Sequence, residues 1–250
     1  MESNGPLSSP HIHNNASVGR VMATVLLALL PVVAAYVWLW GVPVVLQLAT
    51  AAVTALVVES IILTMRRMPV RTALLDGSAL VTALLLAFCL PPTAPLWVVA
   101  VGVGFAVVVA KHLYGGLGFN LFNPAMAGYL VVLIAFPAQL SLWPVPDNPW
   151  DDREAQISDS VTQATPLDQM RSGRLQGKPV AEAMIASPLF GLFANGVTAL
   201  LALAWLAGGV LLLVTGTIRW RIPLALLASL GLFATICAWV NPQLHAGAMF

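Results

Sequence analysis

Val42–Leu63 reads VPVVLQLATAAVTALVVESIIL, a run in which Glu59 is the one charged residue. A helix needs about 20 predominantly apolar residues to cross the hydrocarbon of a bilayer, and this stretch is long and apolar enough to do so. The pattern recurs along the chain, at Val21–Trp40, Leu74–Leu90, Leu96–Ala110, Ala125–Leu140, Val197–Val214 and Pro223–Val240. With 59% apolar residues, 8% charged residues and a mean hydropathy of +0.89, the 250-residue chain carries more apolar surface than a soluble fold of this size needs to bury. The expectation is an all-α polytopic membrane protein. A formal charge of +1 argues against a nucleic-acid partner, which would require Lys and Arg clustered on one face.

Three of the stretches, Leu74–Leu90, Leu96–Ala110 and Ala125–Leu140, are short or bounded by Gly and Pro. Such segments point to broken helices, which are tolerated at membrane depth where they are buried in protein or line a cavity.

Sidedness follows from where the cations fall. With the amino terminus inside, the inner connections hold Arg20, Arg66, Arg67, Arg71, Lys111, Arg219 and Arg221, and the short outer connections at Gly41 and Pro91–Pro95 hold none. The positive-inside bias therefore makes residues 1–20 a cytoplasmic tail and 141–196 an outer loop. The division is a first helix bundle over 21–140, the loop, and the start of a second membrane half over 197–250. The chain closes at Ala248–Phe250 without a polar tail, which predicts a protein that continues further.

His11 and His13 lie in the polar tail, where a His-x-His pair reads as solvated, and no metal site is expected. Cys89 and Cys237 sit in apolar runs and read as small hydrophobes. A bridge between them or a cluster shared with a partner stays open. This chain lacks the four thiolates that usually hold an iron–sulfur cluster.

The outer loop contains Asp159-Ser160-Val161-Thr162-Gln163-Ala164-Thr165-Pro166-Leu167-Asp168. Pro166 disfavours the helical region for Thr165 and is itself preferred at a first helical position. Thr165 then reads as a helix N-cap with Asp168 in the first turn. An ordinary capped helix accounts for this much. The same geometry would also place a phosphate on Thr165 at a helix amino terminus, where free N–H groups favour an anion.

The string resembles the flavinylation motif Asp-x-x-(Ser/Thr)-Gly-Ala-Thr, in which the last Thr is joined to FMN by a flavin transferase. Asp159, Thr162, Ala164 and Thr165 match at the required spacing, and Gln163 replaces the usual Gly. In its membrane setting the chain resembles the RnfD/NqrB family. These are membrane subunits of the Rnf electron-transport complex and of the sodium-pumping NADH:quinone reductase. Asp76-Gly77-Ser78-Ala79-Leu80 and Gly115-Gly116-Leu117-Gly118-Phe119-Asn120-Leu121-Phe122-Asn123-Pro124 also match. The shorter loops favour the RnfD branch.

The resemblance implies two inverted five-helix halves, similar to urea transporters, with about ten spans. It also implies covalent FMN on Thr165 and a second, noncovalent flavin (riboflavin in the sodium-pumping relative) near Gly115, Gly116, Asn120 and Asn123. Implied partners are the other Rnf subunits (A, B, C, E and G), the flavin transferase and membrane lipid. The implied setting is the bacterial inner membrane with 141–196 periplasmic, and the implied activity is electron transfer coupled to ion movement.

Read from the residues alone, Gly115–Pro124 is either a tight turn between spans or the lining of a cofactor or ion path. Its glycines permit close backbone approach, and Asn123-Pro124 restarts a helix with Asn as cap. Glu59 is costly at its position and is a candidate for ion coupling, or else the partner of Arg66 or Arg67. Asp76 either caps the third span or binds a moving cation. Lys111 and His112 read as inner-surface anchors. No residue is assigned a catalytic role. The competing functions are a redox carrier, a channel or secondary transporter of related fold, and a subunit that only scaffolds its neighbours; fold likeness alone argues weakly for the second.

Overall fold

A computed structural model describes residues 17–113, 122–141 and 196–240, and the regular structure among them is helical throughout. Helix α1 (Val18–Trp40) starts at Ser17, whose hydroxyl accepts from the Arg20 N–H, so it opens three residues before the apolar run. Gly41 turns the chain with φ 63° and ψ −139°, a conformation suited to a residue without Cβ, and α2 (Val42–Met65) returns antiparallel. At the far end of α2, Met68 N–H donates to the Leu63 carbonyl and Arg67 N–H to that of Thr64, with Arg67 itself at φ 56°. This is the helix-closing pair of bonds that usually takes glycine at the left-handed position.

A short α3 (Val70–Leu74) leads through a left-handed Gly77 (φ 75°) into α4 (Ser78–Cys89). The stretch read as one span over Leu74–Leu90 is thus a half-length helix preceded by a turn. Helix α5 (Leu96–Phe105) continues directly into a π-helical segment, Ala106–Leu113, and together they make one apolar unit three residues longer than the sequence reading. Helix α6 (Pro124–Ala135) stops at Phe136, where Pro137 opens the short α7 (Pro137–Leu140). Helices α8 (Gly196–Val214) and α9 (Arg221–Val240) complete the described chain.

By length and composition, Val18–Trp40, Val42–Met65 and Leu96–Leu113 can each cross a membrane, and α4 and α6 are shorter apolar helices. Of the three stretches expected to be broken helices, α4 and α6 are short, whereas Leu96–Ala110 belongs to a continuous unit of span length, because the π segment prolongs α5 to Leu113. Leu27, Leu30, Trp38, Val53, Val57 and Ile61 are exposed on α1 and α2, which puts apolar side chains where lipid would meet them.

Two cores hold the bundle. One packs α2, α4, α5, the π segment and α6 around Ala51, Ala83, Leu86, Val99, Val103 and Val132. The other joins α1, α4 and α8 through Val32, Ala35, Phe88 and Ala204. Small residues set the closest crossings, as expected where helices pack in lipid. A Cβ on Gly128 would lie 2.6 Å from the Gly102 carbonyl oxygen, and one on Gly208 would lie 2.3 Å from that of Ala28.

Candidate functional site

On α2 the buried residues Gln47, Ala51, Ala55, Glu59 and Leu63 recur every fourth position and form one inward stripe. Glu59 therefore faces the core, and its side chain is only 3% exposed. A carboxylate so placed needs a partner, and the π segment supplies one. Lys111 forms an ion pair with Glu59 Oε1, bringing together residues 52 positions apart.

An α-helix would spread three successive side chains about 100° apart around its axis. The wider π turn holds Ala110, Lys111 and His112 all in the interior. Single π turns in helices are often found at functional sites.

The network extends outward from the lysine. Lys111 Nζ donates to Ser78 Oγ at 2.7 Å, and Ser78 Oγ donates to Asp76 Oδ1 at 2.6 Å. Asp76 Oδ1 also accepts from the Ser78 N–H at 2.7 Å, so Asp76 caps the start of α4. Gly77 in its left-handed conformation bends the chain so that Asp76 can reach back to this N–H. Ser78 is buried and Asp76 half-buried. On the other flank, His112 Nε2 stands 3.6 Å from Glu59 Oε1, beyond hydrogen-bond distance. Glu59 Oε2 and His112 Nε2 are buried atoms without a hydrogen-bond partner among the described residues. Arg66 Nη2 donates to the His112 carbonyl at 2.8 Å and ties the end of α2 to the end of the π segment.

The site occupies one end of the bundle, the end where α2 finishes and α4 begins. Gly19, at the start of α1, lies against the Leu75 carbonyl and Asp76. Arg20, Arg66, Arg67 and Arg71 lie at this end, and the connections at Gly41, Leu90–Pro95 and Phe136–Ser141 at the opposite end hold no charged residue.

The profile described as the NQR2, RnfD, RnfE family matches residues 7–250. The chain belongs to this family. Among its relatives, proteins named as the D subunit of an ion-translocating oxidoreductase complex, from Salmonella arizonae, Escherichia fergusonii and Salmonella paratyphi B, are 41%, 40% and 42% identical to it. Each alignment covers 95% of this chain and 76% of the relative.

Within this member of the NQR2, RnfD, RnfE family, the sequence-derived site residues divide in two. Glu59 and Asp76 are brought into one network through Lys111 and Ser78. Asn123 is the expected cap, accepting from the Ala125 N–H at 2.9 Å, with Pro124 opening α6. Asp159, Thr162, Ala164, Thr165, Gly115, Gly116 and Asn120 lie outside the described residues.

Two readings are corrected. Glu59 pairs with Lys111, and the Arg66 guanidinium goes to a carbonyl. Lys111 and His112 are buried at 4% and 7% exposure, so neither is a surface anchor. The reason for both is the same: the π segment runs beyond the apolar run and turns these residues into the protein. Sequence reasoning quoted Ser78 only as part of a matching string and gave it no role. For Lys111 the available signal was that a buried carboxylate demands a cation, and Lys111 closes the apolar run Leu96–Ala110.

Proposed function

We propose that this chain is the membrane subunit of an Rnf-type ion-translocating oxidoreductase complex, carrying FMN covalently on Thr165. In this reading it helps pass electrons between ferredoxin-type and nicotinamide pools, coupled to movement of Na+ or H+. What supports it is a single conjunction. The chain is 41% identical, over 95% of its length, to a protein named as the D subunit of such a complex, and it retains Asp159, Thr162, Ala164 and Thr165 at flavinylation spacing.

Flavin supplies the redox chemistry when bound, and the protein positions it. The Thr165 hydroxyl would supply the phosphoester oxygen, and Pro166 would favour a helix start whose N–H groups suit a phosphate. Gly115, Gly116, Asn120 and Asn123 are the region proposed for a second flavin, riboflavin. The other Rnf subunits (A, B, C, E and G) and a flavin transferase are the proposed partners. The proposed setting is the bacterial inner membrane with 141–196 periplasmic, in keeping with the gathering of Arg at the opposite end of the bundle. Glu59 and Asp76 are proposed as the ion-coupling carboxylates, since an intramembrane carboxylate is costly unless it does something.

The test is in-gel fluorescence of the complex from its native host. Flavin should survive denaturing electrophoresis in the wild type and vanish in Thr165→Ala. The half-length helices α4 and α6 favour a second reading, a channel or secondary transporter without redox role. A native complex free of flavin that still conducts solute would select it.

A further inference from the structure

We infer that Asp76, Ser78, Lys111 and Glu59 form a proton wire connecting the Arg-rich end of the bundle with a buried terminus at Glu59 and His112. The inference rests on the functional reading above and deepens it by naming the ion and the groups that pass it.

The polarity of the hydrogen bonds carries the argument. An ammonium has donors and no acceptor, and an ionised carboxylate accepts only. The Ser78 hydroxyl stands between them with a single proton, so it accepts from Lys111 and donates to Asp76, at 2.7 and 2.6 Å. The result is a line of donors from Lys111 through Ser78 to Asp76, and the same ammonium donates to Glu59 on its other side. Half-buried Asp76 is its outer terminus. Glu59, six residues before the end of α2, lies about 9 Å along the helix from that end.

A structural salt bridge would close its polar atoms on one another. This one leaves Glu59 Oε2 and His112 Nε2 open and buried among the described residues, on neighbouring groups. Buried polar atoms without partners are rare in proteins. Of the three such side-chain atoms among the described residues, these two sit together at the inner terminus, where a transferred proton would be received or handed on, and the third, Trp40 Nε1, lies at the end of α1. The charged and titratable groups surrounding the wire are Glu59 and Arg66 from α2, Asp76 before α4, and Lys111 and His112 from the π segment.

The transfer balances. Ser78 Oγ–H breaks as Asp76 Oδ1–H forms, and Lys111 Nζ–H breaks as a new Ser78 Oγ–H forms. Asp76 becomes a neutral acid and Lys111 a neutral amine. The amine regains its proton from Glu59 after that carboxyl has been protonated. With the hydroxyl turned the other way, the same steps run in reverse.

Two substitutions test this in the intact complex, in membrane vesicles driven by its electron donor in sodium-free buffer, with a pH-sensitive dye read against electron transfer. Ser78→Ala removes the middle of the wire and Ser78→Thr keeps its hydroxyl. Lys111→Arg keeps the cation beside Glu59 but cannot be deprotonated. Ser78→Ala and Lys111→Arg should each lower protons moved per electron by about a hundredfold, the low side of what a positioned proton donor contributes, and Ser78→Thr should stay near wild type.

Wild-type ratios in Ser78→Ala or Lys111→Arg would overturn the wire, as would equal losses in Ser78→Ala and Ser78→Thr. Transport of sodium alone, with electron transfer intact, would also overturn it and leave the functional reading standing. A wild-type complex with neither flavin nor electron transfer would overturn that reading, and the wire with it.

Discussion

The two ends of the α2–α4–α5 bundle treat a buried polar side chain in opposite ways. At the uncharged end Gln47, 2% exposed, directs Nε2 to the Pro91 carbonyl at 3.0 Å and the Leu90 carbonyl at 3.4 Å, where the chain leaves α4. That amide satisfies backbone groups that the end of a helix leaves over. At the Arg-rich end, Glu59, Lys111 and Ser78 bond to one another, and two buried atoms remain open among the described residues. Both side chains at issue, Gln47 and Glu59, lie on the same stripe of α2. The difference shows that burial of a polar residue by itself separates nothing; what its atoms are bonded to does.

The comparison breaks first at Lys111. Lys111→Met leaves Glu59 charged and alone in the interior, which should cost about 3–5 kcal/mol and appear as a large drop in the thermal unfolding temperature of the detergent-solubilised complex. Pairing it with Glu59→Gln should recover most of that loss. If the single variant melts like wild type, the ion pair is not the support that its burial implies.

A smaller effect is expected where the two ends share a wall. Gly128→Ala drives a methyl toward the Gly102 carbonyl and should cost about 1–3 kcal/mol through overpacking. A Cβ on Gly104, on the same α5, would meet no atom of the described residues within 4 Å. Gly104→Ala should therefore leave the melting temperature unchanged or raise it slightly, by up to about 1 kcal/mol of helix propensity.

The mildest loss belongs to the uncharged end. Gln47→Leu withdraws a donor from two carbonyls and should cost about 1 kcal/mol, read by the same melting measurement. A loss as large as that of Lys111→Met would erase the distinction between the ends.

Much of the fold was legible because hydrocarbon leaves few alternatives: apolar runs long enough to span became helices, and Gly41 and Asn123 turn or start them, whereas Ser17, the cap of α1, was read as part of the tail. The break before α4 was less legible, since Leu74–Leu90 is apolar apart from Asp76, Gly77 and two hydroxyl residues, and the deciding fact is the left-handed backbone at Gly77. The π segment gave no sign at all. Ala106–Leu113 contains neither Gly nor Pro, the residues that usually mark a departure from α-helical winding. For the site, Glu59 and Asp76 stood out because charges in apolar runs are expensive, but the search for a partner stayed within α2 and its loop. Pairing across 52 positions is decided by which helices touch.

Rewinding the loosened coil at Ala106–Leu113 by a fraction of a turn would require no broken chain and no displaced span, yet it would rotate the lysine out of register with its carboxylate. Electrical continuity between Asp76 and Glu59 is thus a matter of helical pitch, set by how eight residues are coiled as much as by which residues they are.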